Sequence, residues 1–160
     1  MVVSQFKITH KLYKVETCTS KEDTTKLIHT FLPAYSIRED NELYIPRLLL
    51  SIASNTCFKL LDENNKVLGV ISYIIKGHTA DMVFIGINKK LNKLAVVPFF
   101  YATIKDTTIK SMVIKDHDNV IYFSSFSKRY TNKAIIDVPK VKEYSIKAIN
   151  NLSKVVEWLQ

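Results

Sequence analysis

The spacing of apolar positions changes period several times along the chain, and each change marks the edge of an element. Phe6 to Val15 mixes apolar and polar residues, with an interruption at Thr9 and His10, and predicts one strand that is strongest over Leu12 to Val15. A helix should follow. Thr19-x-x-Glu22 and Ser20-x-x-Asp23 are overlapping capping boxes, in which a hydroxyl accepts from an orphan amide and the acid favours the positive helix end. Leu27, Ile28 and Phe31 supply the buried stripe, and Pro33 stops the helix. A second helix begins at Asn41, with Pro46 tolerated in its first turn and Ile45, Leu48, Leu49 and Ile52 facing inward. After Asn55 the pattern becomes that of strands. Cys57 to Leu61, a polar turn at Asp62 to Lys66, and Val67 to Ile75 predict a hairpin whose second strand is apolar on both faces and therefore central. Lys76-Gly77-His78 then turns the chain into another strand, Met82 to Ile87.

The second half divides less cleanly. Asn88 to Lys93 reads as a basic loop and Leu94 to Val97 as a short strand. Over Phe99 to Val113, Phe100, Ile104, Thr108 and Met112 repeat every four residues, while Thr103, Ile104, Thr107, Thr108 and Ile109 are β-branched. Branching lowers helix propensity by only roughly a few tenths of a kcal/mol per residue, so a helix is predicted. Asp116 to Asn119 is a turn, Val120 to Phe126 a strand, and Ser127 caps a short helix through Ile136 that Pro139 stops. Tyr144, Ile146 and Ala148 alternate as a strand. The tail either pairs back over Val155 to Leu159 or folds as a helix with Leu152, Val155, Val156 and Leu159 on one face.

Composition narrows the class. With 160 residues and 47% apolar content, the chain suits one globular domain over residues 1–160 and argues against disorder or low-complexity scaffolding. Lys and Arg total 23 against 15 acids, for a net charge of +8, and the only arginines are Arg38, Arg47 and Arg129. Lysine is a hydrated point charge, poorly suited to bidentate reading of base edges, so weak, sequence-independent nucleic-acid contact is the form such binding would take. Residues 1–80 carry 10 basic and 8 acidic groups, and residues 81–160 carry 13 and 7, so the excess lies in the second half. Abundant Lys, Ile and Asn beside only 3 Gly suits an AT-rich genome, such as that of a phage or an AT-rich bacterium. Cys18 and Cys57 form no Cys-x-x-Cys pair and no cleavable apolar segment opens the chain, so the cytoplasm, or a virion in the phage case, is the expected location. No apolar run approaches the roughly 20 residues of a membrane helix. His10, His29, His78 and His117 have no metal-ligand spacing, and no metal is expected.

Leu94-Ala95-Val96-Val97-Pro98-Phe99-Phe100-Tyr101 resembles the end of the fourth strand and the start of the cofactor loop in the GCN5-related N-acetyltransferases. Phe123-Ser124-Ser125-Phe126-Ser127, followed by Lys128 to Ile136 with Asn132 and Ala134, resembles that family's fifth strand and following helix. The likeness is best over residues 56–136. It implies an α/β (α+β) domain with a central mixed, mostly antiparallel sheet of about six or seven strands flanked by about four helices. It also implies an acyl-CoA whose pyrophosphate meets the backbone amides of a glycine-bearing loop at a helix N-terminus. A tyrosine late in the helix after the fifth strand would supply the acid for the thiolate leaving group, and Tyr130 is the nearest phenol. Aligned on Pro98, the positions that the family fills with Gln or Arg, Gly, and Gly or Ala fall on Tyr101, Ile104 and Asp106. A branched side chain and a carboxylate at those places oppose a diphosphate, with Lys105 and Lys110 as partial compensation.

These departures make a non-catalytic domain of that fold, a structural or interaction protein without cofactor, the first expectation. Phe99, Lys89, Lys90 and Lys93 would then meet a protein partner or a second copy, with Phe100 in the core and Phe99 exposed. The alternative is a divergent acetyl-CoA-dependent N-acyltransferase in which Lys89, Lys90, Lys93 and Lys105 hold the CoA phosphates by charge. A third reading is a nucleic-acid binder with Phe99, Phe100, Tyr101, Tyr122, Phe123 and Tyr130 as stacking platforms. No Gly-x-Ser-x-Gly elbow, Walker loop or His-Glu-x-x-His motif points to other chemistry, and the acids at Glu39-Asp40-Glu42 and Asp62-Glu63 read as solvated turn charge.

Overall fold

The computed structural model describes residues 1–31, 41–115, 118–150 and 156–159. Its strands are β1 Val2–Ile8, β2 Lys11–Thr17, β3 Cys57–Leu61, β4 Val67–Lys76, β5 Thr79–Ile87, β6 Ser111–Lys115, β7 Ser127–Arg129, β8 Lys133–Asp137 and β9 Val156–Leu159. They form one nine-stranded sheet in the order β7-β8-β6-β5-β4-β3-β2-β1-β9, antiparallel except between β5 and β6. The described α-helices are α1 Lys21–Phe31, α2 Asn41–Ala53, α3 Val96–Ile104 and α4 Val138–Asn150, with 3-10 helices at Lys93–Ala95 and Asp118–Phe126. The expected α/β class holds, with more strands than the six or seven foreseen.

The first extra strand comes from Thr9 and His10. Both take positive φ, 51° and 71°, closing a two-residue hairpin between β1 and β2 where one strand was expected. Such a turn is usually marked by Asn-Gly, and Thr-His carries no such signal. The cap at Ser20 is present, its hydroxyl accepting from the Asp23 amide at 3.2 Å. Pro33, the turn residues Asp116 and His117, and tail residues 151–155 lie outside the described residues. β4 occupies the middle of the sheet, and Leu68 to Tyr73 are buried as a doubly covered strand requires.

Past residue 93 the elements differ from the prediction. Leu94 to Val97 is not a strand but the entry to α3, which ends at Ile104 rather than running to Val113. Thr103 and Thr107 turn their hydroxyls onto the carbonyls of Phe100 and Ile104, each at 2.7 Å, and Met112 pairs with Ala80 in the sheet. Local hydroxyl bonds and strand pairing thus end the four-residue stripe. Residues 118–137 exchange their expected roles. Phe123 and Phe126 are both buried, and three residues per turn brings them to one side, whereas a strand would send them to opposite faces. Ser127 to Ile136 is not a helix but spans the hairpin of β7 and β8, closed by the Tyr130 amide on the Lys133 carbonyl at 2.8 Å. Pro139 opens a helix instead of stopping one: Asp137 accepts from the Lys140 amide at 3.1 Å, and a first-turn proline loses no intrahelical bond. The expected strand at Tyr144 to Ala148 lies within α4, with Val138, Val141 and Ser145 buried at helical spacing. The tail resolves as a strand, β9, on β1.

One face of the sheet is covered by α3, α4 and the Asp118–Phe126 helix over the larger core, and the other by α1 and α2 over a smaller one. Phe99 belongs to the larger core and is fully buried beside Phe100. The expectation of an exposed contact residue is therefore corrected. Gly69 makes room for that ring, since a Cβ there would lie 3.0 Å from Phe99 Cε2.

Candidate functional site

The parallel ladder of β5 and β6 holds three pairs, Thr79–Ser111, Ala80–Met112 and Asp81–Val113. It stops there although β5 runs on to Ile87 and β6 to Lys115. On its other edge β5 bulges: Ser72 faces Phe84 and Tyr73 faces Met82, leaving Val83 as the extra residue. A bulge bends its strand, and this one lies where the ladder to β6 ends. Beyond the end of the ladder, β5 leads through residues 88–92 into α3, and β6 leads toward the Asp118–Phe126 helix. The two strands part here, and β5 from Met82 onward faces the gap toward β6.

The mouth of this opening is basic. Asn88 accepts from the Lys90 amide at 2.9 Å and Asn92 from the Leu94 amide at 3.1 Å, which shapes a compact loop with Lys89, Lys90 and Lys93 exposed. Ala95 precedes α3 with no side-chain cap and the first turn holds no acid, but the 3-10 turn before it already engages the head amides, Ala95 donating to the Asn92 carbonyl at 2.9 Å and Val96 to the Lys93 carbonyl, so positive charge at the mouth comes from the lysines. Lys93 Nζ sits 5.7 Å from the centroid of the Tyr122 ring, joining the β5 side of the mouth to the helix that follows β6.

Tyr101, Ile104, Lys105 and Asp106 are not at this mouth. They form the last turn and the exit of α3, about 13 Å along a nine-residue helix from its head. Ile104 is fully buried, and Lys105 Nζ donates to the Val3 carbonyl at 3.2 Å. Tyr101 lies edge-on to Trp158 at 5.3 Å, its phenol pKa raised by burial first and by the Asp106 charge second. The alignment on Pro98 is thus corrected, because Pro98 already lies inside the helix and the residues turning into it are Asn92 to Val97, with Ala95 the smallest of them. α3 is tied to the sheet by Tyr73, whose hydroxyl donates to the Thr103 carbonyl at 2.6 Å and whose pKa burial pushes up.

Sequence reasoning missed Asp81. Ala80 and Met82 face the larger core, so Asp81 points to the opposite face, 29% exposed, with Lys76 Nζ at 2.8 Å and Arg47 at 3.6 Å. It occupies the last rung of the parallel ladder. A single acid within an otherwise apolar strand was the signal that could have found it. Tyr130, expected near a helix start, sits instead in the exposed β7–β8 turn with Lys128 Nζ 5.8 Å from its ring centroid. Among the described residues no group of His, Cys, Asp and Glu comes together to hold a metal, and no helix is long and apolar enough to cross a membrane.

Solved structures share this arrangement. The N152L mutant of the Vibrio cholerae spermidine N-acetyltransferase SpeG matches with a TM-score of 0.55 at 13% identity, over 83% of this chain and 98% of that one. The PaiA N-acetyltransferase of Thermoplasma acidophilum in complex with coenzyme A matches at 0.52 and 15%, over 77% and 96%. The catalytic domain of the Tetrahymena GCN5 histone acetyltransferase, also with coenzyme A, matches at 0.50 and 12%, over 79% and 92%. The fold is that of the GCN5-related N-acetyltransferases. No protein-family model and no curated protein sequence matches the chain. The expectation of a non-catalytic domain is overturned here, since the structures that share the N-acetyltransferase fold are enzymes, two of them holding coenzyme A. Tyr101, Ile104 and Asp106 stand at the far end of α3 and no longer bear on it, although residues 88–95 hold no glycine either.

Proposed function

We propose that the chain is an acyl-CoA-dependent N-acyltransferase, with the thioester arm in the opening between β5 and β6 and Asp81 as the proton acceptor. The observation that carries this is the parallel ladder ending at Asp81–Val113, beside the Val83 bulge, where β5 leads into the exposed basic loop of Lys89, Lys90 and Lys93. An extended, amide-bearing arm suits a strand that continues past the end of its ladder, as a peptide suits a sheet edge. The phosphates would meet Lys89, Lys90 and Lys93.

Asp81 takes a proton from the ammonium form of the acceptor, freeing the nitrogen lone pair. That nitrogen bonds to the acyl carbon and the carbon–sulfur bond breaks. The second proton lost by nitrogen ends on sulfur, so the products are an amide and a free thiol, and Asp81 returns its proton to solvent. Lys76 and Arg47 hold the carboxylate in place.

Calorimetric titration with acetyl-CoA tests the reading. Saturable micromolar binding is expected, weakened by about tenfold or more in Lys89→Glu/Lys93→Glu. Asp81→Asn should leave that binding unchanged while lowering kcat by about 10²- to 10⁴-fold. Absence of saturable binding by the unaltered protein overturns the reading.

A further inference from the structure

From Asp81 a row of side chains crosses the sheet on one face. The register pairs Asp81 with Val113, Val113 with Ile135, and Ile135 with Lys128. Paired residues share a face, so the row spans three strand spacings, about 14 Å. On this face α1 and α2 pack over β3, β4 and β5, and beyond them Val113 and Ile135 are only partly buried. They form an apolar floor leading away from the carboxylate.

At the far end of the row lies a hollow of about 510 Å³, bounded by Lys110, Lys128, Tyr130, Ile135 and Lys140. That volume is in the range of small-molecule clefts. Three lysines line it against one acid, Asp137, and the Asp137 carboxylate is engaged in capping α4 through the Lys140 amide. Among the described residues no carboxylate pairs with Lys110, Lys128 or Lys140. A negative group would find uncompensated positive charge and an aromatic edge at Tyr130, and a second ammonium group would be repelled.

Resting on the transferase reading, we infer that the acceptor is a small extended amine carrying an anionic group, carboxylate or phosphate, at the end remote from the reacting nitrogen. The nitrogen lies at Asp81, the apolar middle over Val113 and Ile135, and the anion among Lys110, Lys128 and Lys140. This is a substrate class chosen by charge, opposite to that of a polyamine.

Four acceptors of one length test it with the full chain and acetyl-CoA, reading release of free thiol: 8-aminooctanoate, 8-aminooctylphosphonate, octylamine and 1,8-diaminooctane. The two anionic amines should exceed diaminooctane in kcat/KM by about tenfold or more, with octylamine between, and the carboxylate and phosphonate arms separate the two anion sources. Lys128→Glu/Lys140→Glu, both exposed in the parent, should reverse that order without changing acetyl-CoA affinity. Acetyl-CoA binding with no turnover of either anionic amine, with equal turnover of all four, with a preference for diaminooctane, or with an order unmoved by the double variant, overturns this inference and leaves the transferase reading standing. No acetyl-CoA binding overturns both.

Discussion

Beneath α3, α4 and the Asp118–Phe126 helix the sheet is covered with rings: Phe6 stacks on Tyr13 at 5.4 Å, Trp158 leans on Phe6 at 5.1 Å, and Phe100 meets Phe123 edge-on at 4.9 Å. Beneath α1 and α2 the core is smaller, Cys18, Leu48, Cys57, Val70 and Phe84, and it is laced with hydroxyls. Ser51 donates to the Leu48 carbonyl at 2.7 Å and meets Ser72 at 2.6 Å, while Thr56 donates to the Tyr73 carbonyl at 2.6 Å. The thiols join this network. The Cys18 pKa is lowered chiefly by its hydrogen bond with Cys57, and the same contact with burial pushes Cys57 up. Rings add large buried area without direction, whereas hydroxyls add little area and fix position. Stability therefore resides mainly on the aromatic face, and the polar face, where Asp81 points, is held in register by directed bonds.

The comparison breaks most visibly on the aromatic face. Phe100→Ala and Phe99→Ala should each cost about 3 to 5 kcal/mol in chemical denaturation, because both rings are fully buried and neither site can refill. A near-neutral Phe99→Ala would mean that this core is not sealed over Gly69. Gly69→Ala comes next, at about 1 to 3 kcal/mol, since its Cβ would press on Phe99 at 3.0 Å. In Phe99→Ala that pressure is absent, so the double variant should lose less than the sum of the two single losses. Tyr73→Phe should cost about 1 to 2 kcal/mol by leaving the Thr103 carbonyl without its buried donor.

How far the sequence carried the fold depended on whether local chemistry and tertiary pairing agreed. They agreed for β3 through β5, where a polar turn, Gly77 and continuous apolar strands left one solution. They disagreed after residue 93. Val120 to Phe126 has strand-forming residues but must bury Phe123 and Phe126 together, and Ser127 to Ile136 can start a helix but folds as the β7–β8 hairpin, with β8 pairing on β6. The same disagreement displaced the candidate site, because reading Leu94 to Val97 as strand moved the loop one full helix downstream, onto Tyr101, Ile104 and Asp106. Lys89, Lys90 and Lys93 remained legible as an exposed basic cluster. Asp81 was not, since its meaning comes from the last rung of a ladder that only the sheet order reveals.

The smallest expected effect is the most diagnostic of the polar face. Ser51 has one proton and gives it to the Leu48 carbonyl, so Ser72 is the donor in the 2.6 Å bond between them. Ser72→Ala leaves a Ser51 lone pair unmet and should cost about 1 kcal/mol. Ser51→Ala strands the Ser72 hydroxyl, but that group can turn to the sulfur of Cys57, its other neighbour, and recover part of the loss. A double-mutant cycle should give a coupling of about 0.5 to 1 kcal/mol, measured by denaturant midpoint at unchanged slope. Its functional readout separates position from stability: Ser72 lies on β4 opposite Phe84, beside the Val83 bulge, so Ser72→Ala should loosen the bulge and raise KM for acetyl-CoA with a midpoint loss well below that of Phe99→Ala. A midpoint loss like that of a buried ring, with KM unmoved, would make this face ordinary core and erase the contrast between the two.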